Sequence, residues 1–120
     1  MEGTFFIQTK YRRDWNDEVF FDPDAVEVVN VLRERGMEVA SHSVAHAIAF
    51  EHMEIGTGQE QYPDYRPFVD SRDTAVDGTI LGELRVSKFL LETLGGLDVT
   101  SFRPGHLSYP FALPQALEAT

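Results

Sequence analysis

Two histidines spaced four residues apart are the side chains of this sequence best suited to chemistry. His42 and His46 end the stretch Gly36 to His46, which runs Gly-Met-Glu-Val-Ala-Ser-His-Ser-Val-Ala-His. Neutral imidazole is the commonest metal ligand in proteins, and a metal with an open coordination position activates water. The spacing is also frequent by chance, and histidine pairs often lie in a core or on a surface. We interpret this pair as ligands of a divalent metal.

The residues around the histidines favour this interpretation. Met37 to Ala40 has the length and partial alternation of a buried strand, so the pair begins where that strand ends. The carboxyl ends of strands are where α/β proteins keep their chemistry. Ser41 and Ser43 flank His42 with hydroxyls that could fix the orientation and tautomer of its ring. The glutamate that would complete the motif of a helical zinc protease is missing between the two histidines, which argues against that enzyme class.

The first predicted helix has signals at both ends. Asp22 suits the N-cap, Pro23 suits the first helical position, and Gly36 can take a left-handed conformation after the last turn. Thr4 to Thr9 and Asp98 to Phe102 are rich in strand-forming residues and predict strands. Apolar residues of the helix at the spacing i, i+3, i+4, i+7 predict a buried stripe that consists of Ala25, Val28, Val29 and Leu32.

Two further helices are predicted in the second half of the chain. Thr79 to Leu94 carries a wide apolar stripe, typical of a helix packed on a sheet, and Gly95-Gly96 ends it. Leu113 to Leu117 begins another helix, with Pro114 early in it. Before them, Gly56 to Gly78 shows no convincing period but contains several aromatic residues. Two alternatives stay open for that loop, a lid on the substrate side or a surface loop packed on itself.

Length and composition describe a single domain, or part of one, of ordinary globular type. The chain has 120 residues, of which 42% are hydrophobic and 25% charged. Its net charge of −10 argues against an extended nucleic-acid surface and against binding to an anionic membrane. The absence of cysteine excludes disulfides and thiolate catalysis. The element order β, α, β, loop, α, β, α predicts an α/β fold with parallel strands and helical crossovers.

Three stretches resemble successive signatures of the polysaccharide deacetylases, which are metal-dependent carbohydrate esterases that include chitin and peptidoglycan deacetylases. The stretches are Thr4-Phe5-Phe6, Gly36 to His46, and Phe102-Arg103-Pro104-Gly105. They follow the order and spacing of the family over most of the chain, and the His-Ser-x-x-His segment after a Gly-x-Glu-Val strand is the most specific. The resemblance implies a portion of a distorted (β/α) barrel and hydrolysis of an N-acetyl group on a carbohydrate.

The resemblance also implies a role for the matching residues. His42 and His46 would each give one nitrogen to a divalent metal, usually zinc. Ser43 would bond a neighbouring loop and brace the histidines. Arg103 would pair with the catalytic aspartate and orient it. The alternative for Arg103 is an ordinary salt bridge at the end of a strand.

The sequence departs from the family pattern in two ways. Gly105 and His106 stand where proline and tyrosine are common, in the stretch that lends a backbone N–H to the oxyanion. We therefore interpret His106 as a loop residue near the site and not as a ligand. The family's Thr-Phe-Asp-Asp and Leu-x-His motifs, which supply the general base, the third metal ligand and the general acid, are missing. No acid occupies a matching position, but several are possible substitutes: Asp14, Asp17, Glu51, Asp64 and Asp70.

These departures leave two hypotheses. In the first, the chain is a polysaccharide deacetylase domain or a truncated portion of one. In the second, it is a truncated or non-catalytic fragment that binds metal or carbohydrate, holds zinc weakly and has no activity of its own. An incomplete barrel would expose sheet edges and apolar helix faces, so we also predict self-association.

Overall fold

A computed structural model of the chain describes residues 3–9, 23–45, 50–65, 67–69, 75–104 and 110–120. These residues form a small mixed α/β fold, which confirms the predicted class at this level. Its elements are β1 (Thr4–Ile7), α1 (Pro23–Glu34), β2 (Glu38–Ser41), a 3-10 turn (Phe50–His52), β3 (Phe68–Val69), β4 (Ala75–Val76), α2 (Ile80–Gly95) and α3 (Leu113–Glu118). None of the helices in these ranges has the length and apolarity needed to cross a bilayer.

Strands β1 and β2 are parallel neighbours with α1 between them in the chain, and Ile7 lies opposite Ser41. A third segment continues the sheet, because Ser41 forms a parallel bridge with Phe102. In that bridge Ser41 N–H donates to the Ser101 carbonyl and Arg103 N–H donates to the Ser41 carbonyl, each at 3.0 Å. The predicted third strand therefore contributes only a bridge. Within the described ranges the parallel sheet is limited to these three segments, and they do not close into a barrel.

Helix α1 begins and ends where predicted, and its predicted buried stripe is confirmed only in part. It begins at Pro23, and the φ angle of Gly36 is 75°, which is the expected left-handed conformation. The predicted N-cap, Asp22, lies outside the described residues. Val29 is fully buried, whereas Val28 is 55% exposed, so this part of the predicted stripe was wrong. Among the described elements α1 packs mainly against β2 and α2, and this contact leaves Val28 uncovered.

Helix α2 packs against β2, α1 and α3. Thr79 is its N-cap, with Oγ1 accepting the Gly82 N–H at 3.0 Å, and Gly96 ends it in a left-handed conformation, so both predicted ends are confirmed within a residue. Two apolar clusters run along the helix. One consists of Val29, Val39, Val44, Tyr65, Val86, Leu90, Leu91 and Val99, and the other of Phe50, Ile80, Leu84, Leu113 and Ala116.

The long loop contains a short antiparallel strand pair, β3 with β4, which the sequence analysis did not predict. Two of its tyrosines pack on α2. Tyr65 is only 7% exposed and belongs to the first apolar cluster, and the Tyr62 ring stacks on Phe89 with centroids 6.3 Å apart. This part of the loop therefore packs on α2, and the choice between a lid and a surface loop packed on itself stays a prediction.

Candidate functional site

The carboxyl edge of the parallel sheet carries the predicted site residues that the structure describes. His42 follows β2 directly and its N–H donates to the Ile7 carbonyl at 3.0 Å, while Arg103 follows the bridge to β2. Side chains alternate between the two faces of a sheet. Ser41 bonds helix α2 and Phe102 packs with the second apolar cluster, so both face the helices. His42 and Arg103 therefore share the opposite face.

The His42 ring is held by main chain from the third segment. Its Nδ1 lies 2.7 Å from the carbonyl oxygen of Arg103. A carbonyl only accepts hydrogen bonds, so Nδ1 carries the proton and the lone pair of the neutral ring is on Nε2. Metal-ligating histidines commonly donate their other ring N–H to a backbone carbonyl in this way. The chemistry of His42 thus fits a metal ligand that binds through Nε2.

The expectation that the Ser41 hydroxyl orients the ring was wrong. Ser41 Oγ lies 2.7 Å from Ser87 Oγ and accepts the Ser43 N–H at 3.3 Å. Its position on the helix face of β2 directs it away from the imidazole, which lies one residue further on the opposite face.

Phe6 provides a surface for both basic side chains. The Arg103 Cζ lies 5.8 Å from the Phe6 ring centroid, and the His42 ring lies 6.2 Å from it with the planes at 52°. A guanidinium over an aromatic ring at an exposed site gains about 0.5–1 kcal/mol. The ion pair found in the described part of the chain joins Glu51 to His52 and does not involve Arg103. The orienting role of Arg103 stays a prediction.

Ser43 adopts a backbone conformation that is uncommon for a residue with a side chain. Its φ angle is 68°, and the residue is 2% exposed. Such a conformation persists where the surroundings hold it, and here the Thr9 N–H donates to the Ser43 carbonyl at 3.3 Å. The bond joins the histidine region to the segment after β1 through main chain, while the predicted role of the Ser43 hydroxyl stays a prediction. Among the residues that the structure describes, the buried Thr9 hydroxyl has no hydrogen-bond partner.

Some of the predicted metal ligands lie among the described residues and others do not. Glu51 and Asp64 are exposed, and within the described ranges no three His, Cys, Asp or Glu side chains converge on one point. These ranges thus supply one imidazole that fits a metal, and not a complete set of ligands. Several of the residues proposed from the sequence lie outside them: His46, Gly105, His106, Asp14, Asp17 and Asp70.

Sequence analysis missed a buried carboxylate on α2. Glu83 is fully buried, with Oε1 accepting the Ala45 N–H and Oε2 accepting the Tyr65 hydroxyl, each at 2.8 Å. The signal was present in the sequence, because position 83 falls inside the apolar stripe between Ile80 and Leu84. An acid on a buried face is more informative than an apolar residue there.

The Tyr65 hydroxyl links this carboxylate to the start of α2. Burial, reinforced by the negative charge of Glu83, raises the pKa of Tyr65 far above its ordinary value of 10.0, so the hydroxyl keeps its proton. Its oxygen accepts the Thr79 N–H at 3.0 Å, and Thr79 Oγ1 donates to Glu60 at 2.7 Å. Partial burial by itself would raise the pKa of Glu60, but hydrogen bonds from Thr79 and from the Thr57 backbone lower it below 4.5.

Two cavities lined by described residues do not include His42 or Arg103 of the carboxyl edge. One, of about 430 Å³, lies between α2, α3 and the segment 99–102, and is lined by Ser41 and Leu84 but not by His42 or Arg103. The lining is on the helix side of the sheet. We therefore assign the site from the chemistry of the carboxyl edge and not from cavity size.

Comparison with known proteins adds no relative. No protein-family model, curated protein or solved structure matches this chain. The resemblance to polysaccharide deacetylases is therefore carried by the three sequence motifs alone.

Proposed function

We propose that this chain is part of a metal-dependent amide hydrolase of the polysaccharide deacetylase type, which removes an N-acetyl group from a carbohydrate. His42 and His46 would hold a divalent cation, with zinc as the first candidate. Arg103 would orient the catalytic carboxylate, and the backbone near Gly105 and His106 would face the oxyanion. The corresponding fold is a portion of a distorted (β/α) barrel, and the parallel order β1, β2, bridge segment supports it.

The contact between His42 Nδ1 and the Arg103 carbonyl carries the proposal. It joins two of the three motifs, which are 61 residues apart in the chain. The same bond selects the tautomer in which Nε2 can ligate a metal. The position of this bond at the carboxyl end of a parallel strand is what favours a metal ligand over a histidine that only fills space.

The residues of the chain would divide the work as follows. A divalent cation held at His42 and His46 would supply Lewis acidity toward the substrate carbonyl. The Arg103 carbonyl keeps the His42 ring in one tautomer and one orientation. The Arg103 guanidinium lies over the Phe6 ring, which the imidazole also contacts, and would supply a positive charge at the carboxyl edge toward which a carboxylate base could be oriented.

Zinc titration tests the metal part of the proposal. We expect His42→Ala and His46→Ala each to weaken zinc affinity by at least about tenfold, since each removes a ligand. His52→Ala is the matched control, because the His52 side chain is 79% exposed and lies in the 3-10 turn. Equal zinc affinity in the wild type and His42→Ala would refute the assignment.

Acetate release tests the activity. Zinc-loaded protein is incubated with N-acetylglucosamine oligomers, and acetate and free amine are measured. We expect release that is abolished in His42→Ala, reduced in Arg103→Ala and retained in His52→Ala. No acetate from these oligomers, and no amine from any other amide, would end the enzymatic proposal.

A second candidate is a non-catalytic fragment that binds metal or carbohydrate. The observation in its favour is that no third ligand joins His42 among the described residues. It predicts zinc that exchanges readily and no acetate release. Sub-nanomolar zinc affinity would contradict it and would point to a carboxylate ligand elsewhere in the chain.

A further inference from the structure

Helix α2 bonds the chain around the first histidine at two points. We define the histidine segment as residues 41–45. At its beginning, Ser41 Oγ lies 2.7 Å from Ser87 Oγ, and at its end the Ala45 N–H donates to Glu83 Oε1 at 2.8 Å. Positions four residues apart lie on the same face of a helix. Glu83 and Ser87 therefore fasten the segment to α2 at both ends.

The end of the histidine segment depends on such bonds because, among the described residues, its main-chain bonds to β1 and to the segment after β1 reach only as far as Ser43. The histidine segment leaves β2 after Ser41, passes through the left-handed conformation of Ser43, and then buries Val44 and Ala45 completely. A buried N–H that lacks an acceptor is strongly unfavourable, since water cannot replace the lost hydrogen bond. Glu83 provides that acceptor for Ala45, and a carboxylate makes the bond about twice as strong as a neutral acceptor would.

Glu83 is itself held from the other side. Its second oxygen accepts the Tyr65 hydroxyl at 2.8 Å, and the Tyr65 oxygen accepts the Thr79 N–H at 3.0 Å. The carboxylate therefore has a defined partner on each oxygen and no contact with solvent. Burying a charge is costly, and an apolar side chain would fill this place without that cost. What an apolar side chain could not do is hold the Ala45 N–H.

We propose that Glu83 is a positioning residue for the histidine segment. By holding the Ala45 N–H it fixes the end of the segment that leads toward residue 46, while Ser87 holds its beginning at Ser41. Glu83 acts on this segment through the backbone N–H of Ala45. The effect on metal binding rests on the proposed function, whereas the fastening of the segment is independent of it.

A matched pair of variants on α2 tests the proposal. Glu83→Met removes the acceptor but fills a similar volume. Glu92→Met is the control, because it removes a carboxylate acceptor elsewhere on α2. Glu92 Oε2 accepts the Val99 N–H at 3.1 Å and is not bonded to the histidine segment. Glu83→Gln retains an acceptor oxygen for Ala45 and serves as the conservative rescue, and as the variant to use if Glu83→Met does not fold.

Two measurements are made on the full chain, amide hydrogen exchange at Ala45 and zinc affinity. We expect Glu83→Met to accelerate Ala45 exchange at least tenfold and to weaken zinc affinity about tenfold, which is the usual range for residues that support metal ligands. Glu83→Gln should restore most of both values, and Glu92→Met should change neither.

The outcomes separate the two proposals. Unchanged Ala45 exchange in folded Glu83→Met, or an equal loss of zinc affinity in Glu92→Met, would overturn the positioning role. If the wild type binds no zinc, it is the proposed function that fails. Ala45 exchange alone then decides whether Glu83 fastens the segment.

Discussion

A substitution at Gly82 tests how tightly Tyr65 is held against α2. A Cβ added at Gly82 would lie 2.5 Å from Tyr65 Cζ and 2.6 Å from Cδ2, well inside van der Waals contact. These atoms belong to a buried ring and not to the flexible end of a side chain. Gly82→Ala must therefore displace Tyr65, which breaks its bonds to Glu83 and Thr79.

The opposing energies can be compared. Alanine is favoured over glycine inside a helix by about 1 kcal/mol. Against this, losing a hydrogen bond to a buried charged group costs about 1.5–3 kcal/mol, and overpacking a core costs typically about 1–3 kcal/mol. The unfavourable contributions are larger, so we expect Gly82→Ala to lower the free energy of unfolding by about 2–4 kcal/mol. The whole free energy of unfolding of a domain of this kind is about 5–15 kcal/mol.

Urea unfolding followed by circular dichroism measures the difference, with Gly95→Ala as the control in the same helix. A Cβ at Gly95 would lie 3.2 Å from Val29 Cγ1 and 3.3 Å from Leu97 Cδ1, which are methyl groups that can shift by a few tenths of an ångström. We expect its stability to stay within about 1 kcal/mol of the wild type. If Gly82→Ala proved as stable as Gly95→Ala, the Tyr65 ring would not be locked on α2 and the network through Glu83 would be wrong.

Four further predictions concern pH, a buried hydroxyl and backbone conformation. Because the folded-state pKa of Glu60 is lowered, the wild type should be more stable than Glu60→Gln above about pH 4.5 and lose this advantage as the pH falls through the folded-state pKa; a pH-independent difference in urea unfolding would contradict this. Because the folded-state pKa of Tyr65 is raised, its contribution to the free energy of unfolding is fully present below pH 10.0. Above pH 10.0 that contribution falls by about 1.4 kcal/mol per pH unit, and this pH dependence should be absent from Tyr65→Phe. Thr9→Val removes a buried hydroxyl that has no partner among the described residues, and should leave the free energy of unfolding unchanged or raise it by about 1 kcal/mol. A lower stability in thermal unfolding would instead reveal a hydrogen bond to that hydroxyl. Gly36→Ala should cost about 1–2 kcal/mol in the same measurement, because φ is 75° there although the space is open; no loss would mean that the backbone can relax.

Local sequence signals were sufficient for the ends of the main elements. Pro23 and Gly36 enclose α1 as their chemistry predicted, and α2 lies within a residue of the predicted range, with Thr79 as a cap that the sequence analysis did not assign. The strand before His42 was predicted one residue early, at Met37 and not Glu38. Such signals depend on a residue and its near neighbours, which are the same in any fold that contains the element.

The buried faces and the short strands were harder to predict. Val28 matched the helical period yet faces solvent, because the period identifies a stripe but not the width of the surface that covers it. The pair β3–β4 has two residues in each strand, too few for an alternation to be recognised.

For the candidate site, the sequence by itself determined which residue types could do chemistry and that His42 would stand at the carboxyl end of a strand. Only the tertiary structure decided what holds that imidazole, since the Arg103 carbonyl reaches it from 61 residues away and the Ala45 N–H is bonded by Glu83 from another helix. In each of these bonds one partner is a main-chain group, which nearly every residue type possesses, so the side-chain pattern of the sequence does not identify it. They form because folding brings distant segments together and buries polar groups that must then find partners.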